Sequence, residues 1–416
     1  MYTRSARVPG EQKGEVGAAV AVTDIVLYPT RLGHARRSAL RPGVFLLLCA
    51  ALAQGAILPE ERGDAMYHRY DGGGVTVDGP AVMVRKNFKE SVSVSGSWYV
   101  DNVSSASIDV ITTGASPYGE TRTEYSVGAD YLYDKSIVGV GYTNSDESDY
   151  QSNTVYFNVS QDFFGDLSTL SFGYSQGRDD VYQNGNPDFA GNIDRYNYRL
   201  GLSQVVTPSL VVGLNYEMVT EEGYLNNPYR SYRYLTNPLD PAQGYQFARE
   251  VYPTTHTSDA AALRFIYYLD WRASVGGSYR FYTDDWGVDA NTVQLTYTHV
   301  LLENWVVDFK YRYYEQSAAD FYGDLFQTPS QDPKNYRGRD KELSNFNNHT
   351  VSLYLSYSRP VRNRYVDRAS LSLQWDRIWF SYDDFRNLND HTAIPGDEAL
   401  YDFEADVYKL LFTVWY

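Results

Sequence analysis

The residues of this chain best suited to chemistry are charges set at every second position. Arg122, Glu124 and Asp130 share one face of the run 120–133. Arg195 and Arg199 share a face of 195–203, and Asp308, Lys310 and Arg312 share one of 305–313. Glu217, Arg264 and Arg280 stand in similar runs. Charges at period two project from one side of an extended strand. On the inner wall of a pore they would sort solutes by size and sign. They could equally pair with one another as a polar network that fills and stiffens an interior.

A second group lies in 223–250. Tyr224, Tyr229, Arg230, Tyr232, Arg233 and Tyr234 could stack on a planar or sugar-like ligand. The same composition suits a loop folded inward as a constriction or plug. Acidic residues gather in other connections: Asp146, Glu147 and Asp149; Asp179 and Asp180; Asp284 and Asp285; Asp383 and Asp384. Such oxygens could bind calcium, but no EF-hand or nonapeptide spacing is present, and no metal site is expected. Solvated loop charge is the simpler reading, and it would bias the local potential towards cations.

Enzyme signatures are missing. There is no Gly-x-Ser-x-Gly elbow, P-loop or His-Glu-x-x-His. The histidines His34, His68, His256, His299, His349 and His391 are not spaced as a metal pair. An aspartyl-type outer-membrane protease pairs Asp-Asp with Asp-His. Asp383-Asp384 and Asp390-His391 supply the letters, but in one connection. A barrel phospholipase needs His and Ser in register, and His299 has Thr298 beside it. Neither an enzyme nor a cofactor is expected.

The elements that would carry these residues are strands. From residue 64 to 416 apolar and polar residues alternate almost throughout, as in Tyr125, Val127, Ala129, Tyr131 and Tyr133 against Arg122, Glu124, Ser126, Gly128 and Asp130. A soluble sandwich also alternates. Here the runs are longer than the ordinary strand of about five or six residues. Their polar faces carry Arg, Lys, Asp, Gly and Ser, and aromatics gather towards strand ends. The last run, YKLLFTVWY, sets Tyr408, Leu410, Phe412, Val414 and Tyr416 on one face. Such a strand is similar to the signal read by the outer-membrane barrel assembly machinery. In hydrocarbon, strands must close into a barrel. The expected fold is therefore all-β, a single closed antiparallel transmembrane barrel of about 16 strands, with 14 as the alternative. Ala65–Tyr70 supplies the first strand, before Gly72-Gly73-Gly74. In Asp402–Asp406 polar residues break the apolar face and suggest a bulge or a segment above the membrane.

Composition agrees. The 416 residues include 40 Tyr, 18 Phe and 7 Trp, with one Cys and a net charge of −16. One cysteine excludes a disulfide framework, and the acidic balance argues against nucleic acid as a partner. Residues 36–53 read as a signal peptide: Arg36, Arg37 and Arg41, then apolar Val44 to Ala53, with cleavage expected after Ala53. Residues 1–35 read as an extension produced by a start site placed too far upstream. The barrel domain is expected over 64–416.

The runs 115–150 (ASPYGETRTEYSVGADYLYDKSIVGVGYTNSDESDY), 160–181 (SQDFFGDLSTLSFGYSQGRDDV) and 198–234 (YRLGLSQVVTPSLVVGLNYEMVTEEGYLNNPYRSYRY) resemble the bacterial family catalogued as domain of unknown function 3570. The resemblance implies a barrel in the outer membrane of Gram-negative bacteria, in contact with its lipid, and no activity. It also implies a role beside periplasmic redox proteins. Two functions are expected: porin-like passage of small hydrophilic solutes, with a bias to cations, or a plugged barrel that anchors periplasmic partners.

Overall fold

The computed structural model describes residues 57–105, 118–330, 332, 334–361, 363–390 and 393–416. The expected leader lies outside them. The first barrel strands are β1 (Arg62–Gly72), β2 (Val75–Phe88), β3 (Val92–Ser105), β4 (Tyr118–Tyr133), β5 (Ser136–Asp146), β6 (Tyr150–Phe163), β7 (Ser168–Tyr182), β8 (Ala190–Thr207) and β9 (Leu210–Gly223). A small hairpin, β10 (Ser231–Leu235) and β11 (Tyr245–Arg249), stands apart from the wall. The barrel resumes with β12 (Thr255–Leu269), β13 (Ala273–Asp284), β14 (Asp289–Leu301), β15 (Trp305–Gln316), β16 (Phe346–Pro360), β17 (Arg368–Arg386) and β18 (Leu400–Trp415). Every wall strand pairs antiparallel with its neighbours, β9 with β12 across the hairpin, and β18 closes on β1 from Arg62↔Trp415 to Gly72↔Ala405. This is a closed barrel of 16 strands, without a free edge.

The first strand extends beyond Ala65–Tyr70 at both ends, and Gly73 and Gly74 form its turn at φ +60° and +80°. Two consecutive positive φ values are what a tight hairpin turn of this hand requires, and glycine adopts them without strain. The long connections lie at one end of the barrel, beside short ones such as Gly73-Gly74 and 147–149. Lys89–Ser91, Asp134-Lys135 and Leu302–Asn304 are short, whereas 224–254 and 317–345 are long. Short turns mark the periplasmic end and long loops the outer end.

One face of each strand looks outward and is apolar: Val127, Leu200, Leu214, Leu263, Leu295 and Leu371 are all exposed. A continuous apolar belt of this kind belongs against hydrocarbon rather than water. Outward aromatics along its upper edge bond to polar groups. Tyr142 Oη donates to Asn153 (2.6 Å), Tyr279 Oη to Asn291 (2.6 Å) and Trp375 Nε1 to Asp406 (3.0 Å). An aromatic with an apolar ring and a hydrogen-bonding tip suits the membrane–water boundary. The chain is therefore an integral barrel of the bacterial outer membrane.

Above that edge the pattern inverts, which explains Asp402–Asp406. Phe403, Ala405 and Val407 point inward, Ala405 and Val407 fully buried among Ile378, Phe380 and Tyr70. Glu404 and Asp406 point outward and pair with outward Arg377, at 2.5 Å for Asp406. The strand carries no bulge there: β18 is unbroken, and the register shift lies on β17 between Ser381 and Arg386. These strand ends stand above the bilayer, with charges to water and apolar groups under the loops.

Candidate functional site

Strand alternation sets Arg122, Glu124, Asp130, Arg195, Arg199, Glu217, Arg264, Arg280, Asp308, Lys310 and Arg312 on the face opposite the apolar belt, so all of them line the lumen. Many of them pair. Arg122 binds Glu124 (2.7 Å) and Ser145 (2.9 Å), with Asp101 and Glu147 each at 3.8 Å. Asp130 meets Arg85 (2.7 Å). Arg195 bridges Glu221 (2.6 Å) and Asp179 (3.4 Å). Glu217 accepts from Arg199 (2.9 Å) and Asn197 (2.9 Å), with Arg280 at 3.7 Å. Arg312 donates to Asn348 (3.1 Å) and lies over the Tyr314 ring, 5.2 Å from its centre. Asp308 is buried. Among the described residues, Arg264 and Lys310 have no carboxylate partner, and Arg264 is exposed to the lumen. The wall is thus a paired network over β4–β9 and less neutralised over β12–β15.

Two histidines join this network without having been singled out above. His68 Nε2 meets Asp101 (2.7 Å) and Tyr99 (3.0 Å), and its ring stacks on Tyr99. His256 lies between Glu221 and Asp284, at 3.0 Å from each, against Trp286. Their phase in the strand marks them as inward, but their partners are brought together only by strand pairing.

The outer mouth is crossed by loops that bind one another. Arg233 on β10 is fully buried. It pairs with Asp324 of the 317–345 loop and with Glu398 (2.5 Å) of the 387–399 loop. Arg339 also reaches Asp324 (2.9 Å) and donates to the carbonyl of Arg386 (3.0 Å). Glu250 accepts from the Arg339 backbone (2.6 Å) and from Tyr252 Oη (2.5 Å), and burial pushes its carboxyl up to about 7. Arg230 pairs with Asp340. On the other side of the mouth, Tyr229 Oη donates to Asp149 (2.7 Å) and accepts from the Asn184 backbone (2.7 Å). Tyr252, Trp286 and Phe321 pack ring against ring beneath.

The six loop residues offered above as a stacking platform are placed otherwise. Arg230, Tyr232 and Arg233 are buried in this assembly, Tyr224 packs on Phe189, and Tyr234 donates to Gln246 (2.9 Å). Their rings and guanidinium groups hold loop to loop, because the carboxylates that match them come from other loops.

Glu120, Glu147 and Asp149 set carboxylate oxygens within 4.8 Å of one another. Ser148 N donates to Glu120 (3.0 Å) and Tyr229 to Asp149, while burial pushes Glu147 up to about 7. Of the acidic pairs elsewhere, Asp384 accepts from the Asn345 backbone (3.0 Å), and His391 lies outside the described residues. The cross-strand neighbours of His299 are Ala273 and Val307, so no serine stands in register.

The chain is similar in fold to solved outer-membrane proteins, all at low identity. A siderophore receptor PirA of Pseudomonas aeruginosa shows 12% identity and a TM-score of 0.40 over 78% of this chain, which spans 57% of that receptor. The outer membrane protein OpdK of Pseudomonas aeruginosa shows 10% identity and a TM-score of 0.39, covering 86% of this chain and 99% of that one. A Pseudomonas aeruginosa FadL homologue shows 11% identity and a TM-score of 0.39, covering 90% and 94%. A search of curated proteins finds no match. Residues 100–366, from β3 to the turn after β16, match one family along their length, and the chain belongs to it: the family described as protein of unknown function DUF3570.

Proposed function

We propose that this barrel conducts small hydrophilic solutes passively across the outer membrane. The observation that carries the reading is the inner wall of β8–β15. It is polar, and it keeps charged side chains in water at mid-barrel: the Arg199 side chain is 66% exposed and Arg264 is also exposed. A barrel of about this strand number is wide enough for an aqueous channel. The charged wall would sort what passes, and the chemistry is transport rather than catalysis. The test is reconstitution of the purified barrel in planar bilayers. Stable ohmic steps support the reading, and a sealed bilayer at every voltage rejects it.

A second reading has its own support. The loop assembly around Arg233 spans the mouth with buried ion pairs, as a lid would. A barrel closed this way would serve as an anchor for periplasmic partners, redox proteins among them. Pull-down from periplasmic extract with the full barrel distinguishes the two, since only the anchor reading requires a stoichiometric partner.

A further inference from the structure

The lumen wall of β12–β15 carries a cationic patch whose layout follows from strand register. Arg264 pairs with Ser278, Ser278 with Gln294 and Gln294 with Arg312, so these four share one rung. The next inward-facing rung towards the outer end holds Ala262, Arg280, Thr292 and Tyr314. The next one towards the periplasm holds Ile266, Gly276, Thr296 and Lys310. These twelve inward positions contain four cations, four hydroxyl or amide side chains besides Tyr314, and no carboxylate. The nearest inward carboxylates border the patch: Glu217 on β9, Asp308 beyond Lys310, and Asp376 on β17, which is buried and bonded by Gln374 (2.9 Å). Glu217 is already shared among Arg199, Asn197 and Arg280. Arg264 and Lys310 therefore face the lumen with their charge uncompensated by any described residue.

We infer that this patch binds small multivalent oxyanions, carboxylates or phosphates, as they pass through the lumen. The inference rests on the conduction reading and gives it a solute class. Arg264 stands beside the neutral donors Ser278 and Gln294 on this rung, with Lys310 on the next rung, so an oxyanion here meets cationic and neutral donors together. Charge-assisted hydrogen bonds from guanidinium to oxyanion are the strongest such contacts a wall can offer. In a lumen walled by protein and lipid they are screened less than on an open surface. The acidic loops at the mouth pull the other way. The patch lies deeper along the path than those loops, and it sets the sign of selectivity.

Two measurements test this. The first is bilayer recording in a potassium chloride gradient, with citrate and inorganic phosphate as probes, for the native barrel, Arg264→Gln/Lys310→Gln, and Arg178→Gln as a control on the outward face. The second is equilibrium dialysis of labelled citrate against the barrel in detergent. The expected result is an anion-selective reversal potential and block by citrate. Both should be reduced in the double variant, with citrate binding weakened about tenfold, and both unchanged in Arg178→Gln. If the channel conducts but selectivity and block are the same in the double variant, the inference is overturned and conduction stands. If no channel opens, yet citrate binds and the double variant binds it more weakly, the oxyanion site stands and passage through the lumen falls with conduction. If there is neither conductance nor citrate binding, both are overturned.

Discussion

Two residues decide how the outer mouth behaves. Arg233 is buried with Asp324 and Glu398, and removing one member of such a set leaves buried charges uncompensated, at about 3–5 kcal/mol. Arg233→Gln is expected to free the loops while leaving the barrel wall intact. Limited trypsin digestion should then cut within 224–254, while the band pattern of the heat-stable barrel is kept. Glu147 acts through pH. Burial lifts its carboxyl from its ordinary 4.5 to about 7, so the folded state holds the proton more tightly than the unfolded one. Stability from this group is full below pH 4.5 and is lost as pH rises through 7. Glu147→Gln should therefore raise the melting temperature at pH 8, by the equivalent of about 1–3 kcal/mol, and leave it unchanged at pH 4. A pH-independent effect would show that the carboxyl is not held protonated.

At the scale of the strand, position along the axis decides what an outward residue can be. On β17, Leu371 and Leu373 face outward within the belt, and Arg377 faces outward above it, paired with Glu404 and Asp406. Leu373→Arg should cost about 2–4 kcal/mol and lower the yield of inserted barrel. Arg377→Leu lies beyond the hydrocarbon and should change stability by less than about 1 kcal/mol. Urea titration of the barrel in vesicles reads both. Equal penalties would place the membrane edge elsewhere. The inverted end of β18 follows the same rule, with Phe403 inward against Phe380 and Tyr382 and Glu404 outward.

At the scale of the molecule, the wall and the cap do separate work. Closure of β18 on β1 pairs every wall strand on both sides, which is what lets the barrel stand in lipid. The cap is built from loops that share no strand with one another. Residues 224–254 meet the connections after β5 and β7 on one side and those after β15 and β17 on the other. Replacing 231–249 with a short Gly-Ser linker should raise single-channel conductance and leave ion selectivity unchanged, because the cationic rungs lie below the cap. A change in selectivity with no change in conductance would move the filter into the cap.

Alternation, turn residues and strand length sufficed for the all-β class, the strand count and the inward phase of residues such as Arg122 and Lys310. These are local properties, set by a side-chain period of two and by turns such as Gly73-Gly74. Which charges meet was not local. Arg233 and Glu398 are far apart in the chain, and nothing in either segment names the other. The same holds for the rung that joins Arg264 to Arg312, since a shift of one residue in any of three strand pairings would dissolve it. Asp402–Asp406 reads as a defect in one dimension. Only the closed barrel and its overlying loops show it as a strand leaving the membrane, where water lies outside and the apolar contact lies within.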